Sequence, residues 1–306
     1  MRLPLLSGSP SLGHEFLATV LPRLRKASEL DTIENERARL ENWHARLDRT
    51  LPTSMVPLFE RRFSVVTEQL DGFPSYTITP RGMEPTRTIL YAHGGGFVAP
   101  IDPFHVRYVT RLALALKARI VLPDYPLAPE YTWKSSYDAL VAQAARWSAY
   151  GPLDLAGDSA GGGIALAIAL GLRDESVALD RLLLIAPWVD LTTSTPETLD
   201  YSASDPWLKL SKLTAYAEFW AGSAADLGMP QVSPALASLE GLPPALMFCG
   251  TRDTLYPGCA LLARRAAEAD WDLTFVEQPD LIHVYPLMPF IPEARHAWKT
   301  TVEFLR

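Results

Sequence analysis

Apolar positions in this chain fall into short continuous runs separated by stretches of helical spacing, and the two alternate from about Phe63 onward. Ile89-Leu90-Tyr91-Ala92 reads as a strand, as do the stretches around Leu153, Leu155 and Ala156 and around Leu273, Phe275 and Val276. Ala245-Leu246-Met247-Phe248-Cys249-Gly250 has no polar alternation, the pattern of a strand buried on both faces of a sheet. Residues 164–170 form a small-residue helical run, and residues 292–305 space Ala294, Ala297, Trp298, Val302 and Leu305 as a final helix. Strands alternating with helices predict an α/β fold, a mostly parallel central sheet flanked by helices.

Two stretches leave that rhythm. Residues 13–50 carry helical periodicity (Leu24, Ile33, Leu40, Trp43, Leu47) among many charges, before the first strand. Residues 192–231 are irregular and aromatic, with Trp207, Tyr216, Phe219 and Trp220 ahead of the Pro234 turn. They predict an N-terminal helical cap segment at 1–55 and a catalytic domain at 56–306 with a lid insertion at about 192–231.

Residues 157–161 read Gly-Asp-Ser-Ala-Gly between an apolar run and the small-residue helix. A G-x-S-x-G at a strand-to-helix turn is the pattern of a nucleophile elbow, which makes Ser159 the candidate nucleophile. Upstream, the strand at 89–92 runs into His93-Gly94-Gly95-Gly96-Phe97. Glycines there let backbone N–H groups face a cavity unobstructed, as an oxyanion requires, so Gly94, Gly95 and Gly96 are candidate donors. A glycine run can also cradle phosphate, but no Lys-Ser or Lys-Thr follows at the required spacing, and no G-x-G-x-x-G is present.

In the order serine, acid, histidine, only His283 and His296 of the six histidines follow Ser159. His296 falls on the predicted last helix. His283 follows a strand and the turn expected at Pro279-Asp280, which places it on a loop able to reach the serine. For the acid, Asp253 stands just past the carboxyl end of the buried run at 245–250, where α/β active sites gather, with Asp280 and Asp190 as the other acids weighed.

With those residues in view, the chain resembles the bacterial hormone-sensitive-lipase-like branch of the α/β-hydrolases, a family of carboxylesterases. The resemblance rests on residues 93–97, 124–130, 157–162, 187–191 and 250–256. It implies an α/β-hydrolase fold with a helical cap, a Ser159-His283-Asp253 triad, and an oxyanion hole shared between the glycine loop, through Gly95 and Gly96 in the family's usual pattern, and the N–H of Ala160. It also implies hydrolysis of short- to medium-chain carboxylic esters through an acyl-enzyme. The chain departs from the family at Asp253-Thr254-Leu255-Tyr256-Pro257, at Tyr125-Pro126-Leu127 and at His283-Val284-Tyr285, where a glycine usually follows the histidine. Candidate substrate-binding residues are Phe97, Trp188, Trp207, Phe219, Trp220, Leu255, Val284 and Tyr285.

Composition narrows the partners. A net charge of -7 without a basic, aromatic-interleaved cluster argues against nucleic acid, and neutral small-molecule esters fit better. No apolar stretch reaches membrane-spanning length, and Met1-Arg2-Leu3-Pro4-Leu5-Leu6-Ser7 lacks a signal-peptide core, which predicts a cytoplasmic protein, monomeric or homodimeric. Cys249 and Cys259 read as small core residues, and neither a metal site nor a cofactor is expected. The same triad would serve an amide or N-acetyl deacetylase, and a non-catalytic small-molecule receptor is the more distant alternative.

Overall fold

The computed structural model of the chain describes residues 9–25 and 28–306. Residues 1–7, where a signal core was sought, lie outside them. Eight strands form one sheet: β1 (Phe63–Leu70), β2 (Phe73–Pro80), β3 (Arg87–Ala92), β4 (Ala118–Pro123), β5 (Leu153–Asp158), β6 (Arg181–Ile185), β7 (Ala245–Arg252) and β8 (Leu273–Ile282). Their order is β1-β2-β4-β3-β5-β6-β7-β8. β2 runs antiparallel to both β1 and β4, and every pair from β4 to β8 is parallel.

The helices are α1 (Leu12–Leu24), α2 (Ile33–His44), α3 (Phe59–Arg62), α4 (Pro103–Leu116), α5 (Tyr137–Ser148), α6 (Ala160–Asp174), α7 (Thr198–Ser204), α8 (Leu210–Ala221), α9 (Tyr256–Glu268) and α10 (Pro292–Leu305). β5 is buried at every position, as a central parallel strand covered on both faces should be. α6 lies close on the sheet: a Cβ at Gly161 would stand 2.1 Å from the carbonyl oxygen of Ala92, so only glycine permits this approach. α4 opens with a capping box, in which Asp102 Oδ1 accepts the N–H groups of Phe104 and His105 while the Asp102 N–H donates to His105 Nδ1.

Because β3, β5, β7 and β8 are parallel, their carboxyl ends at Ala92, Asp158, Arg252 and Ile282 share one edge of the sheet, where ligands gather in open α/β folds. Helix and strand alternate from Phe63 as the apolar pattern predicts. Residues 13–50 hold α1 and α2, and residues 192–231 hold α7 and α8. Cys249 and Cys259 are free and buried.

One local expectation fails. Pro279-Asp280, read as a turn, lies inside β8. Asp280 takes φ +58°, and the pairing with β7 slips between Gly250 and Arg252, so the turn residues make a bulge instead of ending the strand. His283 therefore follows the strand end directly. Val284 comes next at φ +48° and ψ +32°, a left-handed conformation disfavoured for a β-branched residue.

The chain after α2 is tied down through Arg49, whose guanidinium reaches both Asp124 carboxylate oxygens at 2.6 and 2.8 Å and the carbonyls of Asp124 and Tyr125. Asp124 is buried, whereas Arg49 keeps some solvent contact. Arg49→Ala should cost about 2–3 kcal/mol in urea unfolding, because it strands a buried carboxylate; a loss below about 0.5 kcal/mol would mean that water replaces the guanidinium fully. At Val284, both Ala and Gly forfeit the side chain's packing, but only Gly relieves the left-handed backbone. Val284→Gly should therefore unfold at higher denaturant than Val284→Ala, by about 1 kcal/mol, and the opposite order would show that the φ value carries no penalty.

Candidate active site

Ser159 sits between β5 and α6 at φ +53° and ψ -125°. A non-glycine residue holds that conformation only where its surroundings enforce it. Here its N–H donates to the Ile185 carbonyl at 2.9 Å, and its own carbonyl accepts the Gly162 and Trp188 N–H groups at 3.0 and 2.8 Å. The hydroxyl is thereby turned off the sheet edge.

Three side chains from three strand ends meet there. His283 Nε2 lies 2.9 Å from Ser159 Oγ, and His283 Nδ1 lies 2.8 Å from Asp253 Oδ2. The other carboxylate oxygen of Asp253 accepts the Leu255 N–H at 2.8 Å. All three side chains are buried. Burial pushes the imidazole of His283 down, but the Asp253 carboxylate, with Asp205 and Asp158 behind it, raises its pKa above the ordinary 6.5. Of the alternatives, His296 is exposed on α10 and Asp280 is exposed on β8. Asp190 holds a turn, accepting from Thr192 and Ser194.

The glycine loop stands opposite. The Gly94 N–H donates to Asp158 Oδ1 at 3.0 Å, which removes Gly94 from the candidate donors: its proton is already committed to the carboxylate beside Ser159. The N–H groups of Gly95, Gly96 and Ala160 have no acceptor among the described residues. Gly95 adopts φ +116°, open only to glycine. The histidine that opens the motif is structural. His93 stacks on Tyr125 at 4.2 Å, accepts the Tyr125 hydroxyl proton on its carbonyl, and is pushed down to about 4 by burial, so its ring is neutral.

Asp158 is a hub that sequence reading missed. Besides Gly94, its Oδ1 accepts the Tyr91 hydroxyl at 2.7 Å, and its Oδ2 faces His105 Nε2 at 3.4 Å. Burial alone would raise the Asp158 pKa, but His105 and the Tyr91 hydroxyl hold it below the usual carboxylate value. His105, buried as well, is carried up to about 9 by Asp158 and Asp102. With Nδ1 facing Asp102, the Nε2 proton points at Asp158 in either protonation state. His105 thus serves a different carboxylate from His283.

A second missed residue is Asp205, from the insertion. It accepts the Thr254 N–H and hydroxyl at 2.8 and 3.0 Å on one oxygen and the Trp207 and Leu208 N–H groups on the other, tying the insertion to the loop after Asp253. The only trace in sequence is an Asp ahead of Pro206, which marks a turn and not a partner.

The candidate pocket residues divide. Phe97 stacks on Trp220 at 4.6 Å and packs against Trp188 at 5.3 Å, and Trp207 meets the His283 ring edge-on at 5.7 Å. Leu255 and Trp188 border a crevice with Leu210, Leu213 and Thr254 beside the acid loop, and Ser159 is not part of its lining. Tyr285 is not brought to the site: its ring is buried in the core, edge-on to Phe248. Phe219 is buried beneath the Arg37 guanidinium at 4.5 Å and packs the insertion onto α2. Val284 is buried, and its left-handed backbone is its distinguishing feature. Tyr216, one of the aromatics of the 192–231 stretch, abuts the glycine loop, with its ring 3.2 Å from where a Gly96 Cβ would stand. Among the described residues, no group of three or more His, Cys, Asp or Glu is placed to hold a metal ion, and no helix is long and apolar enough to cross a membrane.

Comparison with known proteins agrees with the fold. Residues 89–287 match a family model described as the alpha/beta hydrolase fold. The chain is 32% identical over 227 residues to an acetyl-hydrolase of Streptomyces hygroscopicus, covering 72% of this chain and 75% of that protein. It is 30% identical over 226 residues to an esterase of Acinetobacter venetianus, covering 72% and 74%. Among solved structures, an esterase from the bacterial hormone-sensitive lipase family superposes with a TM-score of 0.79 at 27% identity, over 97% of this chain and 99% of that one. The chain thus belongs to the α/β-hydrolase family, among the esterases of its bacterial hormone-sensitive-lipase-like branch.

Proposed function

We propose that this esterase hydrolyses short- to medium-chain carboxylic esters through an acyl-enzyme on Ser159. The observation that carries the reading is the unbroken buried chain from Ser159 Oγ through the His283 ring to Asp253. His283 Nε2 takes the hydroxyl proton as Oγ bonds to the ester carbonyl carbon. The N–H groups of Gly95, Gly96 and Ala160 receive the oxyanion. Collapse of the tetrahedral adduct breaks the bond to the alkoxide, which leaves with the proton from Nε2. Water then adds to the acyl carbon with His283 again as base, and the carboxylic acid departs as Ser159 recovers its proton. Asp253 keeps the imidazole proton on Nδ1 and stabilises the imidazolium without accepting its proton.

The chain-length reading draws support from the cluster in which Trp188 and Trp220 pack on Phe97 of the glycine loop, and from the name of the acetyl-hydrolase relative. We read the 1–55 segment and the 192–231 insertion as the cap over this site, because Tyr216 abuts the glycine loop and Trp207 abuts the base.

Ser159→Ala should remain folded by circular dichroism and lose roughly 10⁵- to 10⁶-fold in kcat on p-nitrophenyl butyrate, while His296→Ala stays near wild type. Unimpaired turnover by folded Ser159→Ala would sink the mechanism, and faster cleavage of a matched anilide than of the ester would favour amide hydrolysis.

The raised pKa of His283 gives a pH expectation. The base works only as neutral imidazole, so kcat/KM is full above the folded-state pKa and falls as pH drops through it. The acid limb should have its midpoint above 6.5. A midpoint below 6.5 would mean that burial outweighs Asp253 and would contradict the proposed pairing.

A further inference from the structure

α1 reaches the catalytic end of the sheet beside both the acid and the base. His14 is fully buried, and its Nε2 accepts the N–H of Ile282, the residue before His283, at 3.1 Å. Glu15, next along the helix, lies 3.3 Å from the guanidinium of Arg252, the residue before Asp253. A third clamp stands at the helix start, where the N–H and hydroxyl of Ser11 donate to the Glu293 carboxylate at 2.6 and 3.0 Å. Glu293 opens α10, which follows the His283 loop.

These polar contacts add to the apolar packing that seats α1. A 13-residue helix is marginal in isolation; Leu12, Phe16 and Leu24 stand in solvent, Leu17 and Leu21 pack half-buried against the core, and His14 and Ala18 are buried. β8 is the last strand of the sheet, so no further strand among the described residues can take the Ile282 N–H on its outer side. A buried amide there needs an acceptor, and His14 is the one supplied. An Nε2 that accepts carries its proton on Nδ1, which faces Glu15 Oε1 at 3.2 Å. Burial keeps the ring neutral, against the opposing pull of Glu15 and Glu293, while Arg252 adds to the burial effect.

We propose that His14 is a positioning residue for the acid-base pair: by holding the Ile282 N–H it fixes where β8 ends, and so where the His283 ring stands between Ser159 and Asp253. This rests on the triad reading above. His14 touches no substrate, and its effect is transmitted through the Ile282–His283 backbone to a ring that needs sub-ångström placement.

The test compares His14→Leu, which removes the acceptor, with His14→Gln, whose amide oxygen reaches about as far as Nε2. Assays use the full chain with p-nitrophenyl butyrate. His14→Leu should lower kcat about 10- to 100-fold with KM within about twofold. It should also move the acid limb of kcat/KM down toward 6.5, because a loosened His283-Asp253 contact no longer raises the base. His14→Gln should restore most of both. If His14→Leu does not fold, His14→Asn replaces it, since its amide stops at the Nδ1 position and leaves Ile282 unpaired. Unchanged kcat and acid limb in a folded Leu or Asn variant would overturn the proposal. So would an equal loss in the Gln variant accompanied by a matching fall in Tm, which marks a purely structural role. Labelling with a fluorophosphonate, located by mass spectrometry, separates this from failure of the triad: a label away from Ser159 in the wild-type protein rejects the triad itself.

Discussion

The strained backbone at Ser159 is the constraint from which the site is built. A residue at φ +53° and ψ -125° stores about 1–3 kcal/mol, and it persists because Ile185, Gly162 and Trp188 hold its peptide groups from three directions. That grip requires α6 to press against the sheet, which Gly161 alone allows beside the Ala92 carbonyl. The same contact brings the end of β3, and hence the glycine loop, alongside the serine. Ser159 and the proposed donors of the glycine loop are therefore placed by one packing decision.

Around the serine stand two buried carboxylate-imidazole pairs with opposite duties. In the Asp158-His105 pair both partners are committed: Asp158 also binds Tyr91 and Gly94, and His105 faces Asp102 with its other nitrogen. Nothing is left over to exchange a proton with a ligand, so that pair anchors the loop. In the Asp253-His283 pair one imidazole nitrogen is turned to Ser159 Oγ, which leaves it free to move a proton. The chemistry of each pair follows from which nitrogen is spoken for and not from the residue types, which are identical.

That distinction explains what was legible in the sequence. The elbow and the glycine loop are local patterns in which a few consecutive residues carry both the turn and its chemistry, and Asp253 was reachable because a buried strand announces its own end. The roles of His105 and Asp205 were not legible, since their partners depend on strand order and on how the 192–231 stretch folds back. Residue type alone left Gly94 open beside Gly95 and Gly96, which the family resemblance favoured, and it is Asp158 that takes the Gly94 N–H. Pro279-Asp280 carries real turn chemistry, but the pairing of β8 with β7 absorbed it as a bulge, a case of register overriding local preference.

The bulge and the N-terminal helix belong to one geometric problem. β8 must end so that His283 clears the sheet edge and turns back toward β5, across the end of β6 and β7. Asp280 and Val284, both in the left-handed region, bracket that turn with strain on either side of the base. Within this stretch the Asp280 N–H donates to Thr251 Oγ1 at 2.9 Å and Ile282 pairs with Arg252 of β7, while on the outer edge no neighbouring strand among the described residues supplies an acceptor. On that outer edge α1 offers the acceptor, at Ile282. A segment that reads in sequence as a charged cap thus takes part in the geometry of the base, 269 positions away, through a hydrogen bond that no local pattern encodes.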